Sequence, residues 1–167
     1  MKKVYLAVLA TLVMCAAVMF GAMTVFGAPS SGKLTADDYA AIEQLYARYN
    51  HTIDSGDSEG WVATFTPDGR FGKKPYTGET ELAQFAHEWK TDGRGARTRH
   101  FNSNLSITPT AEGAKGAVYL MSVNILVSPP VVQSVGWYDD VLVKTREGWR
   151  FKSRAVRSFE TPSVTQQ

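Results

Sequence analysis

The stretch Val131-Val132-Gln133-Ser134-Val135-Gly136-Trp137-Tyr138-Asp139-Asp140-Val141-Leu142-Val143-Lys144-Thr145, the turn Arg146-Glu147-Gly148, and then Trp149-Arg150-Phe151-Lys152-Ser153-Arg154-Ala155-Val156-Arg157-Ser158-Phe159 decide the fold class. Both arms are rich in β-branched and aromatic residues, which fit a pleated, half-buried surface. Both alternate apolar with polar side chains at a period of two, and a tight Gly-containing turn joins them. They read as a long antiparallel hairpin. Upstream, residues 98–104, 105–110 and 117–127 have the same strand-like period, and Ser128-Pro129-Pro130 connects the last of these to the hairpin.

Before residue 98 the period is helical. Thr35-Ala36-Asp37-Asp38 has a capping hydroxyl followed by acids in the first turn, the pattern of a helix start. Ile42, Leu45, Tyr46, Tyr49 and Ile53 then form one apolar stripe. Gly56 and Gly60 bracket a break before a short second helix over residues 61–65. Thr66-Pro67-Asp68-Gly69 reads as a turn into a strand at Arg70-Phe71. A third helix fits residues 80–90, with Leu82, Phe85 and Ala86 inward, and Asp92-Gly93-Arg94-Gly95 ends it. Helices followed by a meander of strands mean α+β, with helices packed on one face of an antiparallel sheet.

The chain has 167 residues with 18 basic and 16 acidic side chains, a net charge of +2. Residues 4–28 contain no charge, and 21 of those 25 are apolar. Behind Met1-Lys2-Lys3 this reads as an export signal; its length equally suits an uncleaved membrane anchor. In either case the folded part is expected outside the cytoplasm, periplasmic or secreted, with any membrane contact through that segment. Residues 29–34 read as a short linker, 35–160 as one domain and 161–167 as a tail. Without residues 1–28 the chain carries 16 basic against 16 acidic groups. A neutral domain argues against nucleic-acid binding, which needs a surplus of Lys and Arg. Cys15 is the only cysteine, so the exported domain has neither a disulfide nor a thiol nucleophile.

Three histidines are present. His51 and His87 fall on helix surfaces, where solvated side chains are the ordinary reading. No histidine pair has metal-ligand spacing and no acidic cluster suits calcium, so no metal is expected. No glycine-rich phosphate loop and no nucleophile-elbow serine is present, and no cofactor is expected. His100 differs in its company: a regular strand over 97–104 places His100, Asn102 and Asn104 on one face. Polar groups on a buried face need partners, and Asp54, at the end of the first helix, is a natural one. A carboxylate on one imidazole nitrogen fixes the tautomer and raises the basicity of the other. Catalysis and a satisfied core network both fit that pair. Tyr138 and Asp140 share a strand face, and Tyr119 shares one with Met121. Each tyrosine fits either a core aromatic or a ligand contact, and Asp140 can also pair with Arg150, Lys152 or Arg154 of the next strand.

The order of Tyr46-Ala47-Arg48-Tyr49, Asp54-Ser55-Gly56-Asp57, Trp61, Phe65-Thr66-Pro67-Asp68-Gly69, Arg99-His100-Phe101 with Asn104, Gly136-Trp137-Tyr138-Asp139-Asp140 and Gly148-Trp149-Arg150-Phe151 resembles the SnoaL-like branch of the nuclear transport factor 2-like superfamily. The resemblance covers roughly residues 34–159 and implies a cystatin-like cone: a strongly curved antiparallel sheet closed by three N-terminal helices around an apolar pocket. Within that superfamily the pattern is most similar to scytalone dehydratase, with polyketide cyclases and ketosteroid isomerases as relatives. By motif position, the proton-moving aspartate and histidine fall on Asp54 and His100. Tyr119 and Tyr138 stand where the dehydratase has a second histidine and an asparagine, so its substrate does not carry over.

The resulting expectation is a cofactor-independent dehydratase, isomerase or cyclase for a small apolar, carbonyl-bearing or hydroxylated cyclic substrate. His100 is the base and Asp54 orients it. Tyr119 or Tyr138 donates to the developing enolate oxygen. Tyr49, Trp61, Phe65 and Phe71 line the pocket, with Asn104 and Asp140 as further substrate contacts. The alternative is a non-catalytic exported ligand-binding or assembly module. The resemblance also implies a homo-oligomer, a dimer or trimer.

Overall fold

A computed structural model describes residues 32–73 and 75–159. The expected signal or anchor over residues 1–28 and the tail over 161–167 lie outside the described residues. The element order is α1 (Ala36–Ser55), α2 (Ser58–Val62), β1 (Phe65–Phe71), β2 (Tyr76–Thr77), α3 (Gly78–Thr91), α4 (Arg94–Arg97), β3 (Thr98–Pro109), β4 (Ala114–Asn124), β5 (Val131–Thr145) and β6 (Gly148–Ser158). The fold is α+β, with one curved six-stranded sheet in the order β2-β1-β6-β5-β4-β3.

Helix α1 starts where the capping pattern predicts. Thr35 accepts from the Asp38 backbone N–H, and the Asp38 carboxylate accepts from the Thr35 backbone N–H at 3.0 Å, a reciprocal capping box. The helix ends at Gly56 in the left-handed conformation, φ 72°, which a side chain would strain. Its stripe Ile42, Leu45, Tyr46, Tyr49 and Ile53 is buried. Each such large apolar side chain contributes about 1.5–3 kcal/mol on burial. Tyr49, Trp61, Phe65, Phe71, Phe85 and Phe151 meet across the interior with ring centroids 4.9–6.2 Å apart in the contacting pairs. This aromatic mass joins the helices to the sheet.

The hairpin that sets the fold class pairs as expected, Trp137 opposite Arg157 and Thr145 opposite Gly148. Four readings are corrected. The sheet is antiparallel except where β1 runs parallel to β6, which closes the β3-β4-β5-β6 meander against the N-terminal strand. The second helix is capped by Asp57, whose carboxylate accepts from the Gly60 N–H at 2.9 Å. It therefore occupies 58–62, and Phe65 opens β1 instead. A helical turn, α4, follows Gly93, which sits at φ 78°. Finally, Thr98–Pro109 form one strand interrupted by a bulge, not two strands. Ser103 pairs with Tyr119 and Ser106 with Ala117, so Asn104 and Leu105 together oppose Val118, and Asn104 has φ 57°.

Candidate functional site

Residues on paired strands share a face, so the ladder sorts the candidates. His100 is opposite Ser122, and Asn102 is opposite Leu120. Val118 and Leu120 are buried against the helices, so this is the inner face. Ser103 opposite Tyr119 and Phe101 opposite Met121 belong to the outer face. The expectation that Tyr119 contacts a ligand beside His100 is thus corrected: it is 52% exposed on the far side of the sheet. Asn104 is likewise removed from the set. The bulge breaks the alternation that would have kept it beside His100, and its side chain is exposed. Beyond the bulge it is Leu105 and Ile107 that pack toward the core.

Asp54 and His100 meet. The imidazole Nδ1 lies 2.6 Å from Asp54 Oδ1, and the His100 backbone N–H donates to Asp54 Oδ2 at 2.8 Å. Both side chains are nine-tenths buried. A carboxylate accepts, so Nδ1 carries the proton and Nε2 is the basic nitrogen of the neutral ring. Arg99 fixes the junction from behind: one guanidinium nitrogen donates to the carbonyls of Asp54, Gly95 and Thr98 at 3.3, 3.0 and 2.7 Å. Asn50, one helical turn before Asp54, donates to Asn102 Oδ1 at 2.8 Å and to the His100 carbonyl at 3.5 Å. The Trp89 ring lies 5.5 Å from the imidazole. Neither Asn50 nor Trp89 stood out as a site residue in the sequence, because an isolated Asn or Trp on a helix has no spacing signature. Asp54, His100, Asn50 and Arg99 border a cleft of about 400 Å³ between α1 and β3. A larger cavity of about 620 Å³ lies near α2, β1 and α3 and is lined by Val62, Phe65, Pro67, Glu79 and Arg150. It includes neither member of the pair, so the chemistry and not the volume picks the site.

A second buried polar centre sits deeper. Asp140 accepts Arg154 Nε and Nη2 at 2.9 and 2.8 Å and the Tyr46 hydroxyl at 2.5 Å. Of the partners read for Asp140, Arg154 is thus the one it takes, and all its oxygens are engaged away from any ligand. The guanidinium carbon lies 4.0–4.6 Å from the ring centroids of Tyr46, Tyr49, Tyr138 and Phe151, a cation–π cage. Gly116 permits this arrangement: a Cβ there would come within 2.1 Å of the Tyr46 hydroxyl. Burial raises the Tyr46 phenol, with the Asp140 charge adding to it, and burial together with neighbouring Tyr138 raises Tyr49. Tyr138 is also buried; desolvation pushes its hydroxyl up to about 12 despite the Arg154 cation, and the charges of Asp140 and Asp54 act in the same direction as burial. Tyr138 therefore stays a protonated donor throughout the neutral range, within the electrostatic reach of Asp54. Tyr49, Trp61, Phe65 and Phe71, expected to line the pocket, are instead packed against one another in the core and do not border the cleft at His100.

No group of three His, Cys, Asp or Glu residues among those described is placed to hold a metal ion. No described helix is long and apolar enough to cross a membrane.

This architecture recurs in solved structures. A protein from Catenulispora acidiphila, solved in complex with S-DNPA, is 28% identical over 74% of this chain and 95% of its own, with a TM-score of 0.65. A protein named for scytalone dehydratase from Novosphingobium aromaticivorans is 22% identical over 78% and 90% of the two chains, TM-score 0.63. An NTF2-like protein with a cystatin-like fold from the same bacterium is 20% identical over 76% and 85%, TM-score 0.69. The last two share the fold. No curated protein matches the chain. Residues 34–155, from just before the α1 cap to the strand that carries Arg154, match the SnoaL-like domain, a fold built around a small-molecule pocket, and the chain belongs to that family.

Proposed function

We propose that this protein is a cofactor-independent proton-transfer enzyme, a dehydratase, isomerase or cyclase, for a small apolar cyclic substrate bearing a carbonyl or hydroxyl group. The observation that carries the reading is the 2.6 Å contact between Asp54 and His100 at the edge of a cleft. Asp54 holds the proton on Nδ1, so Nε2 takes a proton from the carbon beside the substrate carbonyl. The imidazolium formed is stabilised by the carboxylate, as in other histidine–carboxylate bases. Tyr138 is the inner-face phenol that supports the developing oxyanion. The S-DNPA complex of the 28% identical relative supports a ligand-binding role for the same fold.

The test is deuterium exchange at C2 of 1-indanone, followed by NMR in heavy water. His100→Ala is expected to slow catalysed exchange by roughly 10²–10⁴-fold while the thermal midpoint stays put. Exchange that is no faster with the wild-type protein than with buffer defeats the reading.

A second reading, assembly, has its own observation. Phe101, Met121 and Val135 stand in register across β3, β4 and β5 on the outer face, and Tyr119 and Phe159 lie beside them, all at least 37% exposed. A contiguous exposed apolar face marks an interaction surface, and we infer that it joins two copies of the chain. Sedimentation analysis of Met121→Glu is expected to show dissociation to monomers. Export, or tethering through residues 1–28, belongs to the same proposal; mass spectrometry of the mature N-terminus decides between them.

A further inference from the structure

Residues 116–138 are a second long stretch without a charged side chain, after residues 4–28. They cover most of β4, the connection to β5 and the first half of β5, and within them residues 125–135 are exposed throughout. Successive strand residues point to opposite faces, yet Val131 and Val132 are both about half exposed. The tip of this hairpin therefore projects past the helices on one face and is uncovered on the other, among the described residues. Ile125, Leu126 and Val127 complete an aliphatic end, with Leu126 69% exposed. Apolar surface held in water is unfavourable, and a contiguous patch of it marks an interaction surface. The backbone of the tip is prepared for a medium other than water. The Ile125 N–H donates to the Arg97 carbonyl and the Leu126 N–H to Asn124 Oδ1, each at 2.9 Å, and Pro129 and Pro130 have no N–H. Four of the six residues 125–130 thus bring no unpaired donor, and unpaired backbone donors are what usually keep a loop out of hydrocarbon.

We infer that the β4–β5 tip docks onto an anionic lipid bilayer, with Leu126, Val127 and Val131 entering the acyl boundary and Arg97 at the headgroups. Charge favours lipid. Arg97 touches the base of the tip through its carbonyl, and Arg99 is opposite Val123. Among the described residues both guanidinium groups donate only to backbone carbonyls, so neither charge is neutralised by a carboxylate. Basic groups beside an inserted apolar segment are attracted to anionic headgroups. Composition points the same way. Residues 125–132 contain no aromatic residue, Met or Arg, the types that enrich the centre of a protein–protein interface. The ladder sets Asn124 opposite Thr98 and Ser122 opposite His100. A docked tip thus holds the His100 end of the domain at the membrane and leaves the turn Arg146-Glu147-Gly148, at the other end of β5, in water. Apolar small molecules concentrate in a bilayer, and this orientation brings the cleft to them. Docking itself does not depend on proton transfer at His100.

The experiment places an indole at each end of β5 in the full chain and reads its depth. Leu126→Trp and Glu147→Trp, both at exposed positions, are mixed with vesicles of phosphatidylcholine and about 30% phosphatidylglycerol whose acyl chains carry bromine, a quencher of nearby indoles. Residues 4–28 are long enough to hold the chain at a vesicle by themselves, so the depth of the tip, and not binding as such, is the readout. The added indole of Leu126→Trp is expected to shift to the blue and to lose emission beyond any change in the four wild-type tryptophans; that of Glu147→Trp is expected to do neither. The loss should weaken on phosphatidylcholine alone and as salt rises. Val127→Trp, at the neighbouring exposed position, is expected to behave like Leu126→Trp. Equal quenching at both ends of β5, quenching only in Glu147→Trp, or quenching in neither overturns the inference. Quenching that is equally strong without phosphatidylglycerol overturns the assignment to anionic lipid. A blue shift of the Leu126→Trp indole that grows with protein concentration in the absence of vesicles assigns the tip to a second copy of the chain and overturns it as well.

Discussion

At the start of α1, the Asp38 carboxylate accepts four hydrogen bonds: the backbone N–H and hydroxyl of Thr35, Lys144 Nζ at 2.7 Å and the Trp149 indole N–H at 3.0 Å. At the end of the same helix, Asp54 accepts two, both from His100. The helix dipole favours an anion at the first position and opposes one at the second, and no basic residue of α1 lies in its last turn to compensate. Asp38 behaves accordingly. Lys144, then the Thr35 backbone and hydroxyl and Trp149, hold its carboxyl well below the ordinary carboxylate range. It ties the helix start to β5 and β6. Asp54 spends its lone pairs on one histidine in a place where helix stability alone would put a lysine. A structural carboxylate and a candidate functional one thus differ in their position against the helix dipole and in whether the partner can change its protonation.

The contrast can be tested most visibly at the proposed functional end. Asp54→Asn keeps an acceptor for the His100 amide and removes the charge that stabilises an imidazolium. Catalysed C2 exchange is expected to fall by roughly 10²–10⁴-fold, with no loss of thermal stability because an unfavourable end charge is gone. A large drop in the melting temperature would place Asp54 with Asp38 instead.

Next in size is the third buried carboxylate, which is structural although it lies deepest. Asp140→Ala leaves the Arg154 guanidinium uncompensated inside its aromatic cage, and denaturant unfolding should show a loss of about 3–5 kcal/mol. Gly116→Ala acts on the same centre by displacing the Tyr46 hydroxyl.

The smallest effect belongs to Asp38→Asn, about 1.5–3 kcal/mol in urea at neutral pH, with no effect on exchange. Its pH dependence has a defined sign. A carboxyl whose folded pKa is depressed contributes fully above its unfolded value, 3.8 for this group, and the contribution fades as pH falls below that. The gap between the wild-type and Asp38→Asn stability curves should therefore begin to narrow below about pH 4 and shrink progressively with further acidification. A gap of undiminished size at pH 2 would mean the ion pair with Lys144 is not its source.

Much of the fold could be read from local pattern. The α1 cap and stripe and the hairpin through Arg146-Glu147-Gly148 each depend on residues within a turn or a strand of one another, so their chemistry is visible in sequence. The bulge at Asn104 was not legible. Nothing in Ser103-Asn104-Leu105 forbids a regular strand, and the extra residue is decided by how β3 registers on β4. That one residue moved Asn104 out of the site, whereas Tyr119 is set on the outer face by the regular register that runs from His100–Ser122 to Ser103–Tyr119. The parallel β1–β6 pair was hidden for the same reason, since pairing between residues as far apart as Phe65 and Phe151 leaves no local mark.

For the candidate site, the sequence by itself determined the residue types and the elements that carry them: an aspartate ending a helix, a histidine on a strand, an aromatic interior and a domain without net charge. Only the tertiary structure decided which of these meet. It brought Asp54 to His100, sent Asp140 to Arg154 instead of to a ligand, and set Trp89 and Asn50 beside the histidine. The physical reason is range. Capping, periodicity and turns act over a few residues, whereas hydrogen bonds between α1 and β3 span 45 and more positions, and their geometry exists only after the sheet has curved and the helices have packed on it.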